Sequence, residues 1–114
     1  MKIAVTYADG QVYQHFGHAA QFKLYTVESG MILDTAVVDA TASGHSAMVS
    51  YLQRQGVNTV ICGIGGGAVS ALAGAGIRLF AGATGSADQA VLALLAGKLV
   101  HNPEAAKGHC GGHH

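Results

Sequence analysis

The segment Cys62-Gly63-Ile64-Gly65-Gly66-Gly67-Ala68 follows the apolar run 57–61 and leads into a helical spacing of Val69, Leu72 and Ala73. A strand, a glycine loop and a helix in that order turn several backbone N–H groups outward beside the positive end of a helix dipole, which suits an anionic or strongly polarised ligand. Cys62 is expected at the lip of this loop, where a helix N-terminus lowers a thiol pKa and favours the thiolate that soft metals take. Read blandly, the same residue is a small apolar strand end. A second group is His15-Phe16-Gly17-His18, two imidazoles at a loop mouth, with Gly17 permitting a close approach and Phe16 holding the loop to the core. As isolated loop histidines the pair would simply be solvated. His45, at the start of a helix, is either polar trim or a neutral imidazole available to a metal.

The C-terminal run His109-Cys110-Gly111-Gly112-His113-His114 sets soft and borderline donors at metal-like spacing. Against this stand the ordering cost of a tail with no apolar face and the reading of its last two His as an appended remnant. The glycine run also fits a dinucleotide fingerprint loosely through Gly63, Gly65 and Ala68. The acidic residue such a site needs is missing, because the next strand ends Leu79-Phe80-Ala81-Gly82. A Walker loop fails for want of Gly-Lys-Ser/Thr.

The elements that must carry these residues follow from hydrophobic spacing. Ile3, Val5 and Tyr7 alternate as in a strand, and residues 21–27 and 31–38 flank the turn Glu28-Ser29-Gly30 as a hairpin. Three helices follow. The first has Ala47, Met48, Tyr51 and Leu52 on one face and Gly56 past its end; the second runs from the glycine loop to Gly74 or Gly76. The third starts at a capping box, Ser86 with Gln89, and ends at Gly97. Between them, 57–61 and 77–81 are short apolar runs of the kind a parallel sheet buries on both faces. These features predict an α/β domain over residues 1–102, with a five-stranded mixed sheet in the order 3-2-1-4-5 flanked by about three helices, and a flexible tail over 103–114.

Composition narrows the function. The 114 residues carry six Lys plus Arg against six Asp plus Glu, so no electrostatic footprint for nucleic acid or an acidic membrane is present. The six acidic residues are scattered, which sets aside a two-metal hydrolytic site. Two cysteines in unlike contexts, with neither a secretory segment nor a membrane span, predict a cytoplasmic protein with free thiols.

In combination, the opening strand Lys2-Ile3-Ala4-Val5, the run His15-Phe16-Gly17-His18-Ala19 followed by Phe22, the run 56–61 entering the glycine loop, and Leu72 with Gly76-Ile77 resemble the dinitrogenase iron-molybdenum cofactor biosynthesis family. The resemblance spans nearly the whole chain. It implies a ribonuclease H-like fold without nuclease carboxylates, cofactor binding at His15, and cluster donor or acceptor proteins as partners. Neither a nitrogenase partner nor a molybdenum pathway follows from it.

An anionic iron–sulfur or molybdenum/iron–sulfur cluster suits a pocket of imidazoles and backbone amides that adds no further negative charge. The sequence therefore predicts a non-enzymatic metallocluster carrier. His15, Phe16, Gly17, His18, Gly63, Gly65, Gly66 and Gly67 form its cofactor site, and His15, His45, Cys62, His109, Cys110 and His113 are its metal ligands. The alternative is a nucleotide- or phosphate-binding regulatory module using the same loop.

Overall fold

The computed structural model describes residues 1–16, 19–40, 45–64 and 68–102. Strands β1 (Lys2–Ala8), β2 (Gln11–Val12), β3 (Gln21–Glu28) and β4 (Met31–Asp39) come first, then α1 (His45–Arg54), β5 (Thr59–Ile61), α2 (Ala68–Gly74), β6 (Arg78–Phe80) and α3 (Ala87–Leu95). The sheet order is β4-β3-β1-β5-β6, with β2 paired to β1. Setting β2 aside, this is the order predicted. The first three long strands are antiparallel, whereas β5 and β6 run parallel to β1. The β3–β4 hairpin turns at Ser29 and Gly30, both at positive φ (54° and 76°), which matches the right-handed twist of the strands it joins.

Strand alternation divides the core between the two sheet faces. On one face Ala4, Phe22, Leu24, Val60 and Cys62 meet Met48, Val49 and Leu52 of α1 and Leu72 of α2. On the other, Ile3, Val5, Tyr25, Val27 and Ile61 meet Ala87, Ala90 and Val91 of α3. Each large side chain removed from water here contributes about 1.5–3 kcal/mol. The helices end as their residues dictate: the Ser86 side chain accepts from the Gln89 N–H at 3.2 Å, and Gly56, Gly76 and Gly97 follow their helices at positive φ. Beyond the core, α3 is tied to β3 by Asp88, which accepts from Lys23 Nζ at 2.8 Å and from the Tyr25 hydroxyl at 2.5 Å. No helix among the described residues is long and apolar enough to cross a membrane.

Strand β2 was not expected. Two residues show no periodicity, and this pair is fixed by the turn before it, where Asp9 and Gly10 both take positive φ and send the chain straight back along β1.

Candidate functional site

Strand β1 outruns its parallel neighbour, and the site grows from that mismatch. Pairing with β5 ends at Val5↔Ile61, while Tyr7 is paired to Gln21 of β3 on one side and to Val12 of β2 on the other. Strand β2 thus occupies the edge that β5 leaves vacant. The chain leaving it is held to β1 by Tyr13 N–H on the Thr6 carbonyl (2.8 Å) and by the buried Thr6 hydroxyl on the Tyr13 carbonyl (2.7 Å).

It then meets the chain leaving β5. Ile64 N–H donates to the Gln14 carbonyl, and Phe16 N–H donates to the Ile64 carbonyl at 3.2 Å, so that His15 and Ile64 form a parallel bridge. Gly63 makes the contact possible. A Cβ built there would lie 2.5 Å from Gln14 Oε1 and 2.8 Å from Gln14 Cα, so the bare backbone is the condition for the two segments to touch. Phe16 is 1% exposed and packs on Phe22 with ring centroids 5.8 Å apart, fastening the segment to the core. His15 itself is half-buried, on the wall of a cavity of about 600 Å³ that is also lined by Asp9, Gln11, Tyr13 and Gln14. The wall sets a phenol, two carboxamides, an imidazole and one carboxylate beside the apolar Ala8 and Val12.

The same rim takes in the end of the described chain. Gly82 N–H donates to the Gly63 carbonyl at 2.7 Å, Asn102 N–H donates to the Ala81 carbonyl at 2.9 Å, and Ala81 N–H donates to His101 Nδ1 at 3.1 Å. Gly82, at φ 91°, lies so close to Asn102 that a Cβ would come within 2.6 Å of the Asn102 Cβ.

Cys62 requires a correction. Rather than standing at the lip of the loop, its side chain is 0% exposed within the α1/α2 face of the core, and burial pushes the thiol up to about 12. The cause is strand parity: Cys62 continues the inward set of Val60, and its backbone is still paired, N–H to the Phe80 carbonyl (3.0 Å) and carbonyl from Ala83 N–H (3.1 Å). The helix that was to lower its pKa has only seven residues, and desolvation dominates. The structure therefore removes Cys62 from the accessible ligands. Phe16 and Gly63, also among the expected cofactor-site residues, are buried.

His45 is the first residue of α1. Since β4 runs parallel to β1, this helix begins at the rim where β1 and β5 end. Gly17, His18, Gly65, Gly66, Gly67, His109, Cys110 and His113 lie outside the described residues. Among those described, no three His, Cys, Asp or Glu side chains come together as a metal-holding group. Sequence reasoning missed Gln14, Tyr13 and Gln11; the unusual Asp9-Gly10 turn was the available signal for a short hairpin that delivers them.

The model of the dinitrogenase iron-molybdenum cofactor family matches residues 1–97. The chain belongs to this family. An uncharacterized protein of Methanocaldococcus jannaschii is 30% identical over 105 residues, covering 87% of this chain and 89% of its own. Among solved structures, PH0822 superposes with a TM-score of 0.81 at 23% identity, over 92% of this chain and 99% of that one, a likeness of fold. The apo form of the orange protein from Desulfovibrio gigas gives 0.73 at 28% identity, over 89% and 92%. The architecture is the family's ribonuclease H-like α/β fold.

Proposed function

We propose that this member of the iron-molybdenum cofactor family is a non-enzymatic carrier that reversibly binds an iron–sulfur or molybdenum/iron–sulfur cluster at the rim beyond β1 and β5, with His15 as the principal ligand of the folded domain. The observation that carries this reading is the bridge from His15 to Ile64, which brings an imidazole on a cavity wall of mixed polarity next to the start of the glycine loop. The donor set fits such a cargo. Gln11 and Gln14 offer amide N–H groups and Tyr13 a hydroxyl to cluster sulfides, and one imidazole is a borderline ligand that exchanges readily. Asp9 is the single acidic group lining the cavity, so an anionic cluster meets little repulsion there.

Each residue then has a physical task. Phe16 and the Ile64 hydrogen bonds keep the His15 backbone from shifting as cargo enters and leaves, so little ordering entropy opposes binding. The carboxamides read the sulfide surface without fixing a metal. Delivery to an acceptor protein requires only that a stronger ligand set displace one imidazole.

The test is anaerobic addition of a preformed iron–sulfide or iron–molybdenum–sulfide cluster, followed by gel filtration and metal and sulfide analysis. The intact protein is expected to keep visible absorbance with near-stoichiometric metal, and His15→Ala to lose most of both while unfolding at an unchanged temperature. Equal retention by His15→Ala would end the ligand assignment; tight nucleotide binding without metal would favour the regulatory-module alternative.

A further inference from the structure

One edge of the sheet is unguarded. Strand β6 closes the far edge with three residues that begin at Arg78, whereas β4 runs nine residues along the outside of β3. Long edges are ordinarily blunted by lysine, proline or a bulge, because their outward N–H and C=O groups invite another strand. Residues 31–40 contain no Lys, Arg or Pro, and Met31, Leu33 and Val37 are exposed. A bulge is present, but it falls at Leu33, where the pairing shifts from Thr26↔Asp34 to Val27↔Ile32. Past it the chain runs regularly to Ala40, whose N–H donates to the Ala20 carbonyl at 2.8 Å. We propose that this edge is a self-association surface, on which β4 of a second copy pairs antiparallel about a two-fold axis at Val37.

The backbone fixes that centre. Hydrogen-bonded positions alternate along an antiparallel ladder. Counting back from Ala40, the even residues bond to β3, so Thr35, Val37 and Asp39 turn their N–H and C=O groups out of the sheet. The regular segment 34–40 is symmetric about Val37. Laid on its own copy it sets Val37 against Val37, Thr35 against Asp39 and Ala36 against Val38, with roughly six interchain hydrogen bonds and the β3 ladder undisturbed.

The side chains agree with this register. Thr35 and Val37 lie on the α3 face, opposite Tyr25 and Lys23 of β3, so the two valines meet there and each Thr35 hydroxyl can donate to the Asp39 carboxylate across from it. On the α1 face Ala36 and Val38 make an apolar pair. Like charges stay apart. Each Asp34 stands about 20 Å along the strand from its mate and each Asp39 about 13 Å, both beyond the screening length of about 8 Å. The chain carries no net charge, so two copies do not repel at long range. A paired segment about 24 Å long in a layer about 10 Å thick buries roughly 500 Å² in all, well under the ~1,200 Å² of a stable complex. The association is therefore weak and concentration-dependent. Strand β3 separates β4 from the rim, and the two-fold axis reverses strand direction, so the two rims face opposite ways and both stay open.

Sedimentation equilibrium of the intact protein from micromolar to millimolar concentration tests this. A reversible monomer–dimer equilibrium is expected. Val37→Lys, which sets two ammonium groups face to face, should weaken it by about tenfold or more, with far-ultraviolet circular dichroism confirming the fold. Disulfide trapping reads the register independently. In a Cys110→Ser background with oxidised glutathione as oxidant, Val37→Cys should give a covalent dimer, because hydrogen-bonded partners have Cα atoms about 5.5 Å apart, and Asp34→Cys should not. A monomer at every concentration would overturn the proposal, as would dimerisation untouched by Val37→Lys or trapping of Asp34→Cys in place of Val37→Cys. His15→Ala should associate as the wild type does, so this inference and the carrier reading fail separately.

Discussion

Replacing Gly63 with alanine should damage the site more than a single methyl suggests. The added Cβ would stand 2.5 Å from Gln14 Oε1 and 2.8 Å from both Gln14 Cδ and Cα. The carboxamide can swing aside, but the Cα cannot, and comfortable carbon–carbon contact begins near 3.5 Å. The 14–16 segment must therefore back away from Ile64 by about 0.7 Å. The Phe16 N–H bond to the Ile64 carbonyl, already 3.2 Å long, does not survive that displacement. Overpacking costs about 1–3 kcal/mol and the lost hydrogen bond about 1 kcal/mol.

A total of about 2–4 kcal/mol lowers the melting temperature by roughly 10–20 °C in a domain of this size. Thermal unfolding followed by far-ultraviolet circular dichroism measures it, and cluster retention below the transition should fall with it, because His15 has left its bridge. The control is Gly74→Ala. Nothing lies within 4 Å of a Cβ at Gly74, and alanine in α2 should be neutral or stabilise by up to about 1 kcal/mol. If Gly63→Ala melts with wild type and retains cluster equally, the close approach of the two loops does not hold His15 in place and the reasoning fails.

Burial of Cys62 makes two further expectations. In a Cys110→Ser background the remaining thiol should ignore a soluble thiol reagent until the protein unfolds; rapid native labelling would contradict its 0% exposure. Its folded pKa is raised above the unfolded value, so the associated stability is complete at neutral pH and declines as the unfolded chain begins to ionise, by about 1 kcal/mol between pH 9 and pH 10. Cys62→Ala should lack that slope in urea titrations, and an identical slope would refute the assignment. Asp88 has the opposite sign. Hydrogen bonds from Lys23 and then Tyr25 hold its carboxyl below the usual range, so its stabilisation is present above about pH 4 and fades as pH falls through the folded value. With the carboxylate 59% exposed, Asp88→Asn should cost no more than about 1 kcal/mol at pH 7, converging with wild type in acid. A pH-independent difference would rule that linkage out.

The features legible in sequence were those written in local chemistry. Ser86 and Gln89 announced the third helix, Glu28-Ser29-Gly30 the hairpin, and the glycines at 56, 76 and 97 the helix ends, because each needs only its neighbours and a backbone angle to act. The strand order followed from the apolar runs and the crossover rule. The site was less legible, since its defining contact joins residues 14–16 to 62–64 through hydrogen bonds that side-chain pattern does not encode. Cys62 was misread for a different reason. The glycines after it point to a loop, but Cys62 keeps the parity of Val60 before it, and in a strand parity decides which way a side chain points.

That misreading matters for how a carrier would work. An exposed thiolate beside His15 in the rigid domain would hold a soft metal in fixed geometry, and release would have to break a strong bond that the fold itself maintains. Burying Cys62 gives the fold a residue of core instead, and leaves the rim with an imidazole, carboxamides, a phenol and the Asp9 carboxylate. On the proposed carrier reading such a wall would meet a sulfide surface through many weak contacts, each made without reorganisation because two loops are already bonded together behind it. On the carrier reading, ready release is thereby built into the rim, where an acceptor protein would have only to displace the His15 imidazole before the cargo is free to move.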